Sequence, residues 1–141
     1  MQHDRKITIS AGNNRRAMSW QPLTMMLSEL WARLQTPARG TETLAEYLNM
    51  KKAQQDDLKD VGGFMAGTLN GPRRKANNVT GRDLITLDLD NIPAGGTESV
   101  LRRVEGLGCG YCVYSTRKHS PAGPRLRIPV SYTHLTLPTN R

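Results

Sequence analysis

Leu84-Ile85-Thr86-Leu87-Asp88-Leu89-Asp90-Asn91 is the stretch on which the reading of this chain turns. Apolar Ile85, Leu87 and Leu89 alternate with Thr86, Asp88 and Asp90, the period of a strand with one face in a core. Side chains two apart share a face, so Asp88 and Asp90 are expected to point the same way, with Cα atoms roughly 6.6 Å apart at about 3.3 Å per residue. Two carboxylates at that separation repel by roughly 2.5 kcal/mol at an effective dielectric near 20. A divalent cation held between them turns repulsion into ligation, and hard oxygen donors suit Mg²⁺ or Mn²⁺. The competing reading is a solvated edge strand carrying two harmless acids.

The 141 residues suit one domain with a real core, and the formal net charge of +8 asks for an acidic partner. Nucleic acid and nucleotide phosphates are the natural candidates, because Lys and Arg gain affinity by releasing phosphate counterions. A basic protein with no polyanion partner is the alternative on charge alone. No apolar run is long enough to span a bilayer, and no apolar run follows Met1-Gln2-His3-Asp4-Arg5-Lys6, so neither membrane nor secretion is expected. Two cysteines, Cys109 and Cys112, make no disulfide framework, which points to a reducing cytoplasmic setting.

Upstream, Lys6-Ile7-Thr8-Ile9-Ser10 reads as a short strand, followed by a loop from Gly12 to Arg16. Leu23, Met26, Leu27, Leu30, Trp31 and Leu34 fall at helical spacing, which predicts a helix from about Pro22 to Leu34. Thr43 and Glu46 have capping-box spacing, so a second helix starts there and buries Leu44, Tyr47 and Leu48. Lys51 to Asp60 is polar, a connector or a solvated helix end. The glycine-rich run from Val61 to Leu69, with the turn signal Asn70-Gly71-Pro72, predicts a hairpin whose backbone comes close to a neighbour. It leads into the cationic cluster Arg73-Arg74-Lys75, read as a solvated charge run or a contact for nucleic-acid backbone.

Downstream, Val100, Leu101, Val104 and Leu107 predict a helix over Thr97 to Leu107, ended at Gly106 and Gly108. Strands follow at Gly110 to Thr116 and Arg125 to Val130. The fold class is therefore α+β. An N-terminal helical and strand segment (1–60) precedes a half-core (61–130) with the glycine-rich hairpin and an incomplete RNA-recognition-motif or ferredoxin-like β-α-β-β unit. First and third strands pair in such a unit.

His119 lies just past the second of these strands, in a loop with Arg117 and Lys118, and Arg125 and Arg127 share one face of the third. A cationic wall opposite an acidic pair fits a nucleoside triphosphate: carboxylates hold the metal that bridges the phosphates, and His and Arg neutralise the remaining charge. The ordinary alternatives are a surface histidine and a solvated strand face. Cys109 and Cys112 have zinc-ligand spacing but no second pair, so two half-buried thiols are the default.

Lys59-Asp60-Val61-Gly62-Gly63-Phe64, then LITLDLDN, then YSTRKHSPAGPRLRI resembles the N-terminal primase domain of phage and prophage replication proteins. Those proteins belong to the archaeo-eukaryotic primase superfamily and include the group linked to virulence-associated E helicases. The resemblance covers most of residues 6–129. It implies Asp88 and Asp90 as catalytic metal ligands for Mg²⁺ or Mn²⁺, and His119 as a catalytic contact to nucleotide phosphate. Lys118 and Arg127 would assist in nucleotide binding, and Arg73, Arg74 and Lys75 would track a single-stranded DNA template. Arg117 stands where the family has a small residue two before the histidine, and the family's third carboxylate has no counterpart. The implied reaction is template-directed transfer of nucleotides from NTP or dNTP, with a helicase domain C-terminal in the full-length protein. Residues 131–141 depart from the family and read as a non-native tail, His134 being no ligand, with a genuine strand from Tyr132 to Leu137 as the alternative. The chain is expected to be a truncated fragment, inactive alone. A non-catalytic single-strand-binding module and a metal-dependent nuclease are the competing functions.

Overall fold

Ile7 and Ile9 turn one side of β1 (Lys6–Gly12) into the interior while Lys6 stays exposed, as their alternation requires. The computed structural model describes residues 4–131. It has an α+β architecture in two units, Met1–Asp83 and Leu84–Arg141. Gln21–Met26, expected as the first turns of a helix, is instead strand β2. Six consecutive antiparallel pairs, from Lys6↔Met26 to Ala11↔Gln21, bind it to β1. The backbone groups of β1 need these partners, and that demand overrides a helical spacing that both states can satisfy. β2 is the edge of the order β2-β1-β3, a position that tolerates Pro22. The helix proper, α1 (Leu27–Leu34), buries Leu27 and Leu30 and leaves Leu23 exposed on the strand. Asp4 caps it from outside, its carboxylate accepting the Ser28 N–H at 2.9 Å and the Ser28 hydroxyl.

The Thr43–Glu46 capping box forms as expected and opens α2 (Leu44–Leu48). Tyr47 is buried, whereas Leu48 is exposed, because one short helix has room for a single inward anchor. Lys52–Lys59, read as a connector, is α3. It docks by a reciprocal clasp: the Tyr47 hydroxyl donates to the Gln55 carbonyl at 3.2 Å, and the Gln55 amide donates to the Tyr47 carbonyl at 2.9 Å. Both side chains are buried, and burial pushes the Tyr47 phenol pKa up.

β3 (Gly63–Met65) pairs with β1, so residues 61–83 belong with the first unit. The units divide between Asp83 and Leu84, whereas the sequence reading placed its boundary after residue 60. β4 (Gly67–Leu69) and β5 (Val79–Arg82) form the hairpin, and Ser10 ties it to β1 by donating to the Gly67 carbonyl at 2.9 Å. The close approach foreseen for this glycine-rich run is internal: a Cβ on Gly67 would collide with the Gly81 carbonyl oxygen. Asp83 closes the unit, its carboxylate accepting the Thr8 N–H at 2.6 Å.

The second unit runs β6 (Ile85–Leu89), α4 (Thr97–Glu105), β7 (Gly110–Tyr111), β8 (Tyr114–Ser115) and β9 (Leu126–Ser131). β9 lies between β6 and the β7/β8 pair, antiparallel to all of them. Leu126, Ile128 and Val130 are buried with Ile92 and Val104, and Leu87, Leu89, Val100, Tyr111 and Val113 pack against them. The α4 stripe therefore stops at Val104, and Leu107 is exposed beyond the helix end. The single strand expected over Gly110–Thr116 is split in two, yet both pieces share one register on β9. Pro129 explains the gap: Cys112 donates to the Pro129 carbonyl at 3.1 Å, but proline has no N–H to return the bond. Ser131 is a buried member of β9; the rest of the expected non-native tail falls on residues 132–141, outside the described residues. Among the described residues, no helix is long and apolar enough to cross a membrane.

Replacing Gln55 by Ala should lower unfolding stability by about 1 kcal/mol, because the clasp between α2 and α3 loses the hydrogen bond to the Tyr47 carbonyl, which keeps the Met50 N–H. A denaturant midpoint that does not move would rule out the clasp. Lys52 and Lys59 hold Asp56 at 2.5 and 3.1 Å and lower its pKa from 3.8 to about 2. A depressed folded-state pKa stabilises above 3.8, and that contribution fades as pH falls toward 2. Acid unfolding of Asp56→Asn should accordingly lose its steepness between those two values relative to wild type.

Candidate active site

β6 presents Leu87 and Leu89 to the core and leaves Asp88 on the opposite, open face. The same alternation continues past the strand end, where Asp90 is exposed. Across the sheet, Asp88 is in register with Arg127, and Arg127 is in register with Tyr114. Because the Cys112 N–H reaches the Pro129 carbonyl, odd-numbered residues of β9 turn their peptide groups toward β7/β8. Arg127 therefore meets Asp88 at a non-hydrogen-bonded position, where facing side chains come closest.

The Arg127 guanidinium donates from Nη2 to Asp88 Oδ2 at 3.0 Å. Burial lowers the guanidinium pKa, but the Asp88 hydrogen bond and the Tyr114 oxygen outweigh it, so the net shift is upward. Tyr114, half-buried and in register with Arg127, lies on its other flank, and burial drives its phenol pKa up against the pull of Arg127. The side chains of Arg127 and Asp88 are 41% and 49% exposed, so the pair is worth only about 0.2–1 kcal/mol. Tyr111 faces the core and its hydroxyl reaches Glu105 at 3.4 Å, which confirms that the two tyrosines occupy opposite faces.

β6 and β8 both end beside the start of β9, at Leu89↔Leu126 and Ser115↔Leu126. Asp90 follows β6 directly and is exposed. The loop that follows β8 is built from tight turns, with His119 N–H donating to the Thr116 carbonyl and Gly123 N–H to the Ser120 carbonyl. It returns His119 to the same sheet end, where Nδ1 accepts the Arg125 N–H at 3.0 Å. An acceptor at Nδ1 places the imidazole proton on Nε2, which is left to donate outward. Arg125, Arg127, Lys118 and His119 are all half-buried. Strand register and the His119 hydrogen bond thus bring Asp88, Arg127 and His119 to one end of the sheet, with Asp90 exposed two residues beyond Asp88. Tyr114 joins them, a residue the sequence reading placed on the strand but not at the site. Its place beside Arg127 follows from strand register, which no spacing within one strand signals.

Hard oxygen donors from Asp88 and Asp90 fit Mg²⁺ or Mn²⁺, ions that use one or two carboxylates and take their remaining ligands from water and phosphate. Asp88 Oδ2 is engaged by Arg127. Among the described residues, no three His, Cys, Asp or Glu side chains form a metal-holding group. Cys109 and Cys112 are free thiols, and burial raises the Cys112 pKa.

Arg73, Arg74 and Lys75 lie in the first unit, in the loop joining β4 to β5. The loop is anchored rather than loose. Trp20 N–H donates to the Pro72 carbonyl at 2.7 Å, Arg74 stacks 4.7 Å from the Trp20 ring centroid, and Arg73 reaches the Met18 sulfur. Trp20 is buried with its ring against Gly12, where any Cβ would collide with the indole. All three cations remain exposed.

No curated protein and no solved structure matches the chain. A family model does: that of the VapE N-terminal domain, over residues 1–139. That match extends across nearly the whole chain, and with it the protein belongs to the VapE N-terminal domain family.

Proposed function

We propose that this domain is the nucleotidyl-transfer part of a phage or prophage replication protein, a primase-polymerase of the archaeo-eukaryotic type. Membership of the VapE N-terminal family supports the replication context. The observation that supports the chemical reading is that Asp88 faces Arg127 across the sheet while His119 is held at the neighbouring Arg125, two residues before Arg127. The strand-helix-strand-strand order, with the third strand between the first two, is what three strands of a ferredoxin-like sheet would show.

In this reading Asp88 and Asp90 hold Mg²⁺ or Mn²⁺, which supplies charge neutralisation for an attacking 3′-hydroxyl and for departing pyrophosphate. His119 donates from Nε2 to a phosphate oxygen of the incoming NTP or dNTP, and the Arg125 N–H fixes the ring for that task. Arg127 and Lys118 balance the remaining triphosphate charge. Arg73, Arg74 and Lys75 contact the backbone of a single-stranded template, and their anchored loop spares the ordering cost a flexible run would incur. A helicase domain would follow in the full-length protein. A base-stacking module is the weaker reading, because Tyr111 and Tyr114 lie on opposite faces of the sheet.

Template-dependent incorporation of nucleotides by the full-length replication protein should fall at least about 100-fold with Asp88→Asn plus Asp90→Asn, the loss typical of removing a major electrostatic stabiliser. Incorporation that survives the double substitution contradicts the metal assignment, and cleavage of the template in its place indicates a nuclease. Arg73→Ala with Lys75→Ala should reduce the slope of log affinity against log salt for single-stranded DNA by roughly 1.4, at about 0.7 per phosphate contact. An unchanged slope removes this loop from the template path.

A further inference from the structure

We propose that Arg127 is an exchange residue: it occupies Asp88 until a divalent cation takes that carboxylate, then turns its guanidinium to the triphosphate, with Tyr114 holding the released side chain in place. This rests on the metal and triphosphate reading above and adds a coupling between the two ligands. Register puts the three side chains in one line across three strands, Asp88 on β6, Arg127 on β9 and Tyr114 on β8. The guanidinium thus has a carboxylate at 3.0 Å on one side and Tyr114 as its register neighbour on the other. Five N–H donors on a planar fork allow Arg127 to keep Tyr114 while it leaves Asp88.

Both partners stand about half exposed on the face opposite the core. Such a pair is weak enough to be displaced and strong enough to compete. While it is made, Asp88 offers a cation one fewer free oxygen and a nearby positive charge. Once it is broken, a guanidinium suited to bidentate phosphate contact is free at the same sheet end as His119. Cation and triphosphate consequently favour each other's binding, and by linkage the effect is reciprocal.

The test titrates the chain with Mn²⁺ by calorimetry, with and without inorganic triphosphate, and follows the Arg127 Nε–H resonance during a Mg²⁺ titration. In wild type, saturating Mg²⁺ should move that resonance, and Asp88→Asn should start at the shifted position and stay there. Arg127→Gln should bind Mn²⁺ about two- to fivefold more tightly, the range that corresponds to an exposed ion pair, and should lose most of its triphosphate affinity. Tyr114→Phe should leave Mn²⁺ binding unchanged and weaken triphosphate binding several-fold. Arg127→Lys keeps the positive charge and should leave Mn²⁺ affinity within about twofold of wild type, since its ammonium still competes for Asp88. If Arg127→Gln weakens Mn²⁺ binding, or if the Nε resonance ignores saturating Mg²⁺, Arg127 merely props Asp88 and the exchange is wrong. Should wild type and Asp88→Asn bind Mn²⁺ equally, the underlying metal assignment fails and the exchange falls with it.

Discussion

The ladder that β9 makes with neighbours on both sides is the constraint from which the rest of the second unit follows. A strand paired on two edges has one register with each, and the burial of Leu126, Ile128 and Val130 forbids a one-residue slip, which would turn Arg125 and Arg127 into the core. With register fixed, Arg127 has to face Asp88 on one side and Tyr114 on the other. Pro129, in the middle of this central strand, removes one ladder bond and divides the neighbouring strand. The core holds both pieces in the same register regardless.

The charge distribution has a corresponding logic. Paired aspartates at the end of a strand repel each other, and the structure relieves that repulsion with a guanidinium on Asp88. A cation would relieve it more completely. In the proposed cycle these are alternatives of similar kind, which is what a weak, half-exposed ion pair permits and a buried one would not. In the first unit, by contrast, Arg15 is committed to structure, lying within 4 Å of Asp56, Asp57 and Asp60.

Local patterns were legible in the sequence wherever a single element decides them. The alternation of Leu87, Asp88 and Leu89, the Thr43–Glu46 box and the start of the Thr97 helix appear as read, whereas Ile85, expected in the core, is exposed and the strand ends at Leu89 before Asp90. Residues 21–26 were not legible, because their apolar spacing suits a helix face and an edge strand equally and only the demand of β1 for a partner chooses. The polar run 52–59 hid a helix for a similar reason: its anchor is one buried Gln clasped to Tyr47, not an apolar stripe. At the site, the residue types could be named from sequence, but their contacts could not. The Asp88–Arg127 bridge, the Tyr114 flank and the Nδ1 acceptor of His119 all depend on register and loop closure, which no spacing within one strand encodes.

The central claim is that a divalent cation binds at the sheet end where β6 and β8 meet the start of β9. Paramagnetic broadening by substoichiometric Mn²⁺ tests it most directly, since the effect falls steeply with distance and needs no catalysis. The account predicts selective loss of the backbone amide signals of residues 88–91 and of the loop from 117 to 125, with Gln55 and its neighbours in α3 untouched. Broadening centred instead on Asp56, Asp57 and Asp60, or spread evenly over the acidic surface, would contradict it.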